Sequence, residues 1–198
     1  MDTAILNERT LDKPISNGVL GMILLLTTEA MFFTGLISAY IVNKAGSGIW
    51  PPAGQPRLPI EITALNTVFL LFSAVCLIIT TRYFTRGGIL QKKSTKTWLL
   101  ISIFMGLLFV SIQGYEWVKL IGYGLTTTSS LFGAFFYLII GMHGIHVLVG
   151  VTLLIHLYSY LNKSNSVRFS KNKITICSLY WYFVVGIWPI LYVLVYLS

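Results

Sequence analysis

Charge is what this sequence has least of. Asp, Glu, Lys and Arg make up only 10% of its 198 residues, and 56% are hydrophobic; a soluble domain carries about a quarter charged residues. So few polar groups cannot coat a globule in water, and the solvent of this chain is therefore lipid. Cysteine is nearly absent. Cys76 and Cys177 sit singly in apolar runs, which make neither a disulfide framework nor a metal-spaced pair. Histidine is confined to positions 143, 146 and 156 of one segment, so no second helix can supply an imidazole. A nucleotide-binding glycine loop, a nucleophile beside a base and a ladder of ionisable groups across several segments are also missing. These absences count against a free-standing enzyme or pump. Without an internal repeat, a transporter of inverted halves is disfavoured as well.

What the sequence has is long apolar runs. Five of them, at about 19–43, 61–82, 97–121, 130–161 and 175–197, each approach the roughly 20 residues that cross a bilayer. Lipid forbids unpaired backbone groups, so each run predicts a helix. The expected fold is an all-α membrane protein: one five-helix domain over 19–198 behind a polar tail, 1–18. The fourth run is longer than required and should tilt or protrude. The first holds Glu29 near its middle, which makes it too long and too polar for the core of a cleaved signal.

The net charge of +8 does not imply nucleic acid, because the bases are spread over short segments between the runs. They report topology instead. Eleven Lys and Arg fall on the side of the tail and of the connections after the second and fourth runs. Only Lys44, Arg57 and Lys119 fall on the other side. This asymmetry predicts a cytoplasmic N-terminus and a periplasmic C-terminus.

Within the runs, a few polar residues stand out. Glu29 is either a proton-active or lipid-contacting site, or a neutral acid bonded to a neighbouring helix. Glu116, three residues after Gln113 and three before Lys119, fits an interhelical or lysine-paired role. The segment GMHGIHVLVG (141–150) places His143 and His146 on one helical face, and Gly141, Gly144 and Gly150 let another helix approach closely. Two imidazoles on one face cannot be the opposite axial ligands of a haem. Glu-x-x-His motifs on paired helices, as dimetal sites use, are absent. Hydrogen bonds from these imidazoles to Glu29, Glu116 or Gln113 are the better expectation. Asn66, Ser73 and Ser102 read as interhelical hydrogen-bonding residues. Pro189 is expected to kink the last helix, and Tyr180, Trp181, Tyr182 and Phe183 to form an interface belt near its cytoplasmic end.

Taken in order, the motifs resemble those of subunit III of haem–copper terminal oxidases, in its short five-helix bacterial form. TEAMFFTGLISAY (28–40), WPP (50–52), the helix containing Asn66, QGYEW (113–117), GMHGIHVLVG and the closing YWYFVVGIWPILYVLVYL (180–197) look like successive elements of that family. One departure is clear: where the family usually reads Trp-His-Phe-Val-Asp, this chain has Trp181, Tyr182, Phe183, Val184 and Val185. The resemblance implies a subunit with no redox centre of its own in a bacterial inner membrane. It implies packing against subunit I, which holds haem and copper, with subunit II in the same complex. It further implies bound phospholipid, with Trp50, Trp181 and Tyr182 as candidate contacts, and Glu29, Glu116, Gln113, His143 and His146 as structural or proton-supporting residues. Whether cytochrome c or quinol is the electron donor is settled on other subunits. The alternatives are an accessory subunit of nitric-oxide reduction, which shares this fold, and a free-standing channel or transporter.

Overall fold

The computed structural model describes residues 16–52, 54–86, 89–163 and 167–197, with all their side chains except those at 89–92 and 167–170. Most of the expected tail, and the Lys92 and Arg168 side chains of the topology count, lie outside the described residues.

The described residues form five helices in order: α1 (Asn17–Gly46), α2 (Ile60–Arg86), α3 (Ile89–Gly122), α4 (Leu131–Lys163) and α5 (Val167–Tyr196). All five are long and apolar enough to cross a membrane. Four begin earlier than their apolar runs, α1 by two residues, α2 by one, and α3 and α5 by eight each. Hydropathy marks only the stretch that suits lipid. Lysine is a good helix former, and backbone hydrogen bonding continues through it into the polar margin. Pro189 lies inside α5 without ending it.

Local chemistry sets the helix ends. Ser16 caps α1 by accepting from the Val19 amide. Gly124 leaves α3 with φ +90°, a conformation that glycine adopts without steric cost. The Leu125 amide then reaches back to the Leu120 carbonyl at 2.9 Å, closing the end of the helix. Ser130 opens α4 by accepting from the Gly133 amide at 3.0 Å. The short connection predicted between these two helices is thus a tight turn with both ends capped.

Helices α2, α3, α4 and α5 form a closed ring in which each packs on two others. Helix α1 stands outside it and, among the described residues, packs against α4 and α5. The α2–α3 seam is polar and small-sided. Ser102 Oγ donates to the Ser73 carbonyl at 2.8 Å, and Asn66 Nδ2 to the Phe109 carbonyl at 3.1 Å. Apolar lipid gives no driving force for burying apolar faces, so close small-residue contacts and hydrogen bonds hold such seams.

At the centre of the ring lies Trp181. Its six-membered ring is clamped between the bare backbones of Gly106 on α3 and Gly150 on α4. A Cβ at either position would fall 2.8 or 2.7 Å from the indole. Its Nε1 donates to Ser73 Oγ on α2 at 3.1 Å. One side chain therefore ties together all four helices. The expectation that Trp181 contacts lipid and that residues 180–183 form an interface belt is corrected on this point: Trp181 is fully buried, about halfway along α5. Two turns on, Trp188 repeats the arrangement by donating to Thr67 Oγ1 of α2 at 2.8 Å.

Candidate functional site

Glu29 lies twelve residues into α1, roughly 18 Å along the helix axis. On the facing side, α4 presents His146, and His146 Nε2 meets Glu29 Oε2 at 2.8 Å. The other ring nitrogen, Nδ1, is 2.7 Å from the Met142 carbonyl one turn earlier. A carbonyl only accepts, so Nδ1 carries hydrogen and donates. The Nε2–Oε2 contact must then hold one proton. It sits on the carboxyl as a neutral pair, or on the imidazole as an ion pair. Both arrangements have zero net charge, which is what makes the pair tolerable at membrane depth.

The pair is not sealed. The Glu29 side chain keeps 25% of its surface exposed and that of His146 11%. Phe33, one turn beyond Glu29, is buried and turns its ring edge toward both His146 (5.2 Å) and His143 (6.4 Å). Tyr180 Oη of α5 donates to the His146 carbonyl at 3.3 Å. Carboxyl and imidazole thus sit where α1, α4 and α5 converge.

His143 goes elsewhere. Although it shares a face with His146, its ring stacks on Trp188 at 4.9 Å and takes the edge of Phe109 at 6.3 Å. Among the described residues, neither of its nitrogens has a hydrogen-bond partner. The expected bond from an imidazole to Glu29 therefore exists for His146, and His143 has no such bond. Glu116 and Gln113 meet neither imidazole. Glu116 pairs with Lys119 at 3.4 Å, and Gln113 Nε2 donates to Tyr196 Oη of α5 at 2.9 Å. Both are buried; Gln113 ties α3 to α5, whereas the Glu116 pair stays within α3.

Of the remaining candidates, Trp50 donates from Nε1 to Tyr40 Oη at 3.0 Å and sets its ring against Phe132. It pins the α1–α2 connection over α1 and α4. Tyr182 is half-buried on α5. Sequence reading placed Tyr180 in an interface belt and missed Trp188 and Tyr196. The available signal was spacing: in α5 Trp181, Val184, Trp188, Leu191 and Val195 recur every three or four residues, and all five are buried. Among the described residues, no three His, Cys, Asp or Glu side chains come together as a metal-binding group. Both nitrogens of His146 are already engaged.

The class defined by this fold and site is a multi-pass helical membrane protein whose intramembrane acid and imidazole pair with each other. Sequence comparison supplies the family. The family model described as Cytochrome c oxidase subunit III matches residues 6–198. The chain is 32% identical over 206 residues to a probable cytochrome c oxidase subunit 3 of Mycobacterium leprae, covering 99% of this chain and 95% of that protein. It is 33% identical to a cytochrome c oxidase subunit 3 of Synechocystis, covering 89% and 74%. A cytochrome c oxidase subunit 3 of Drosophila yakuba is 32% identical, covering 89% and 67%. The chain belongs to the cytochrome c oxidase subunit III family and is a subunit III of a haem–copper oxidase, working within that complex in a membrane.

Proposed function

We propose that this subunit is redox-silent and acts by contact. It packs against subunit I in a complex that also includes subunit II, binds phospholipid, and sustains the stability and proton uptake of the catalytic subunit. It sits in a bacterial inner membrane with its N-terminus in the cytoplasm. Haem and copper stay on the partner.

The observation that carries this reading is the Glu29–His146 pair. It holds a proton inside the membrane-spanning part of the molecule, keeps some exposed surface, and joins α1, outside the ring, to α4 within it. Helix α1 has only two buried residues, Phe33 and Tyr40. Its large apolar side chains, such as Leu24, Met31 and Val42, point outward, toward lipid or a neighbouring subunit. Trp50 and Tyr182, both half-buried, remain as candidate lipid contacts.

The test is substitution in the intact oxidase. Glu29→Ala leaves Nε2 of His146 without its partner, a loss of about 1–3 kcal/mol. It should weaken retention of the subunit or hasten inactivation during turnover, with the haem spectrum unchanged. Glu29→Gln keeps a donor for Nε2 but no transferable proton. It should preserve assembly and separate the bond from the proton. Wild-type endurance and retention in Glu29→Ala would refute the role, and so would a lost haem signal.

A further inference from the structure

Lys44 stands in the last turn of α1, 15 residues beyond Glu29 and so roughly 22 Å further along the axis. It follows directly on the apolar run 19–43, which places its ammonium at headgroup depth. Below it, between α1 and α5, runs a groove of about 440 Å³ lined by Tyr40, Ile41, Lys44, Ala45 and Leu194. Tyr40 and Ile41 lie one turn nearer the membrane centre than Lys44, roughly 5 Å down the helix. The Tyr40 wall is fixed in advance. Trp50 Nε1 donates to its hydroxyl, and its ring meets the edge of Phe135 on α4. The groove opens sideways: Ile41 and Ala45 are exposed and Lys44 is half-buried, so it can be entered from the lipid.

Two ordinary explanations of such a lysine fail here. Neither ion pair among the described residues includes it, since Glu116 takes Lys119 and Glu29 takes His146. The charge asymmetry that orients the chain disfavours lysine on this side, where Arg57 and Lys119 are the other two cations. Its place in the last turn suits the helix dipole, but that concerns the backbone and not the recess below. Lysine at a membrane margin lays its hydrocarbon stem along apolar surface and keeps its head in the polar layer. The recess beneath is aliphatic at Ile41, Ala45 and Leu194. A hydrocarbon groove under an unpaired cation asks for an amphiphile, with an anionic head for the ammonium and an acyl tail for the groove. A phosphodiester accepts charge-assisted hydrogen bonds from an ammonium. In a zwitterionic lipid the phosphate already has a cation on the same headgroup, so a net-anionic headgroup gains more from Lys44.

Resting on the phospholipid-binding reading above, we propose that Lys44 holds the phosphate of a net-anionic phospholipid, one acyl chain of which lies in the α1–α5 groove along Tyr40, Ile41 and Leu194.

The test is photolabelling of the intact oxidase complex in lipid nanodiscs. Phosphatidylglycerol and phosphatidylcholine probes carry the same diazirine high in one acyl chain, and labelled peptides are mapped by mass spectrometry. At residues 40–45 and 194 the phosphatidylglycerol probe should label about fivefold more than the phosphatidylcholine probe, the effect of one lysine at a membrane surface. Lys44→Gln should bring the two within about twofold of each other, and Lys44→Arg should keep the preference. Ile41→Trp starts from an exposed position, so it fills the groove with the bundle intact, and it should cut labelling by both probes at least about fivefold. Lys119→Gln, on the same side but outside the groove, should leave the preference unchanged. Equal labelling by the two probes in the wild type overturns the proposal, and so does a preference that survives Lys44→Gln. Labelling of other parts of this chain but not of the groove overturns it while phospholipid binding stands. Labelling nowhere on the chain overturns both.

Discussion

Replacing Gly150 with alanine should destabilise this protein, and the same change should stabilise a variant with a smaller residue at position 181. In the wild type a Cβ at residue 150 would lie 2.7 Å from Trp181 Cε3 and 2.8 Å from Cζ3, too close for any real contact. The indole cannot retreat, because Gly106 presses its opposite edge and Nε1 is held by Ser73. Overpacking of this kind costs about 1–3 kcal/mol. Alanine in a helix is itself favoured over glycine by about 0.5–1 kcal/mol. The net loss in the wild type is therefore about 0–2.5 kcal/mol. In Trp181→Phe the six-membered ring no longer reaches between the two glycines, so only the helical gain remains and the sign reverses. The coupling between the sites, taken from a double-mutant cycle, should be about 1–3 kcal/mol. Unfolding of the purified chain in SDS mixed micelles, followed by tryptophan fluorescence, gives the four stabilities. Additivity of the two substitutions would refute the clamp.

Other outcomes follow from the same contacts. Tyr196→Phe removes the partner of buried Gln113 and should cost about 1–3 kcal/mol in that unfolding assay, whereas Tyr192→Phe, whose hydroxyl is exposed, should cost much less. Thr67→Val should strand the Trp188 indole N–H and cost about as much as Tyr196→Phe, read in the same way. Asn66→Ala should loosen the α2–α3 seam, seen as faster amide exchange in α2 and α3 with α1 unchanged. Lys119→Ala should change little in the same assay, because the lysine side chain is exposed at the end of α3 and exposed ion pairs contribute little.

The five helices were legible because lipid allows few alternatives: each run had to be long, apolar and fully hydrogen-bonded within itself. Glu29 and His146 were legible for a related reason. An ionisable group isolated in an apolar run needs a partner, and the chain offers few. Which imidazole would find the acid was not legible. His143 and His146 share a helical face, and the choice depends on how α1 sits against α4, which no single helix encodes. Trp181 was misread for the same reason. The recesses that receive it, at Gly106 and Gly150, lie on two other helices. From sequence alone, an aromatic residue near one end of an apolar run looks like a membrane-interface anchor. The helix ends moved because hydropathy follows the solvent while hydrogen bonding follows the backbone. The groove beneath Lys44 left no mark in the sequence, since a recess between two helices is a property of packing.

Metal and haem analysis of the dissociated complex bears most directly on a subunit that works through contact. The oxidase, purified in mild detergent, is split into this chain and the remainder. Each fraction is then assayed for copper and for its reduced-minus-oxidised haem spectrum. All copper and haem should stay with the remainder, which should turn over at first and then fail sooner than the intact complex. Copper or haem travelling with this chain in stoichiometric amount would contradict the assignment.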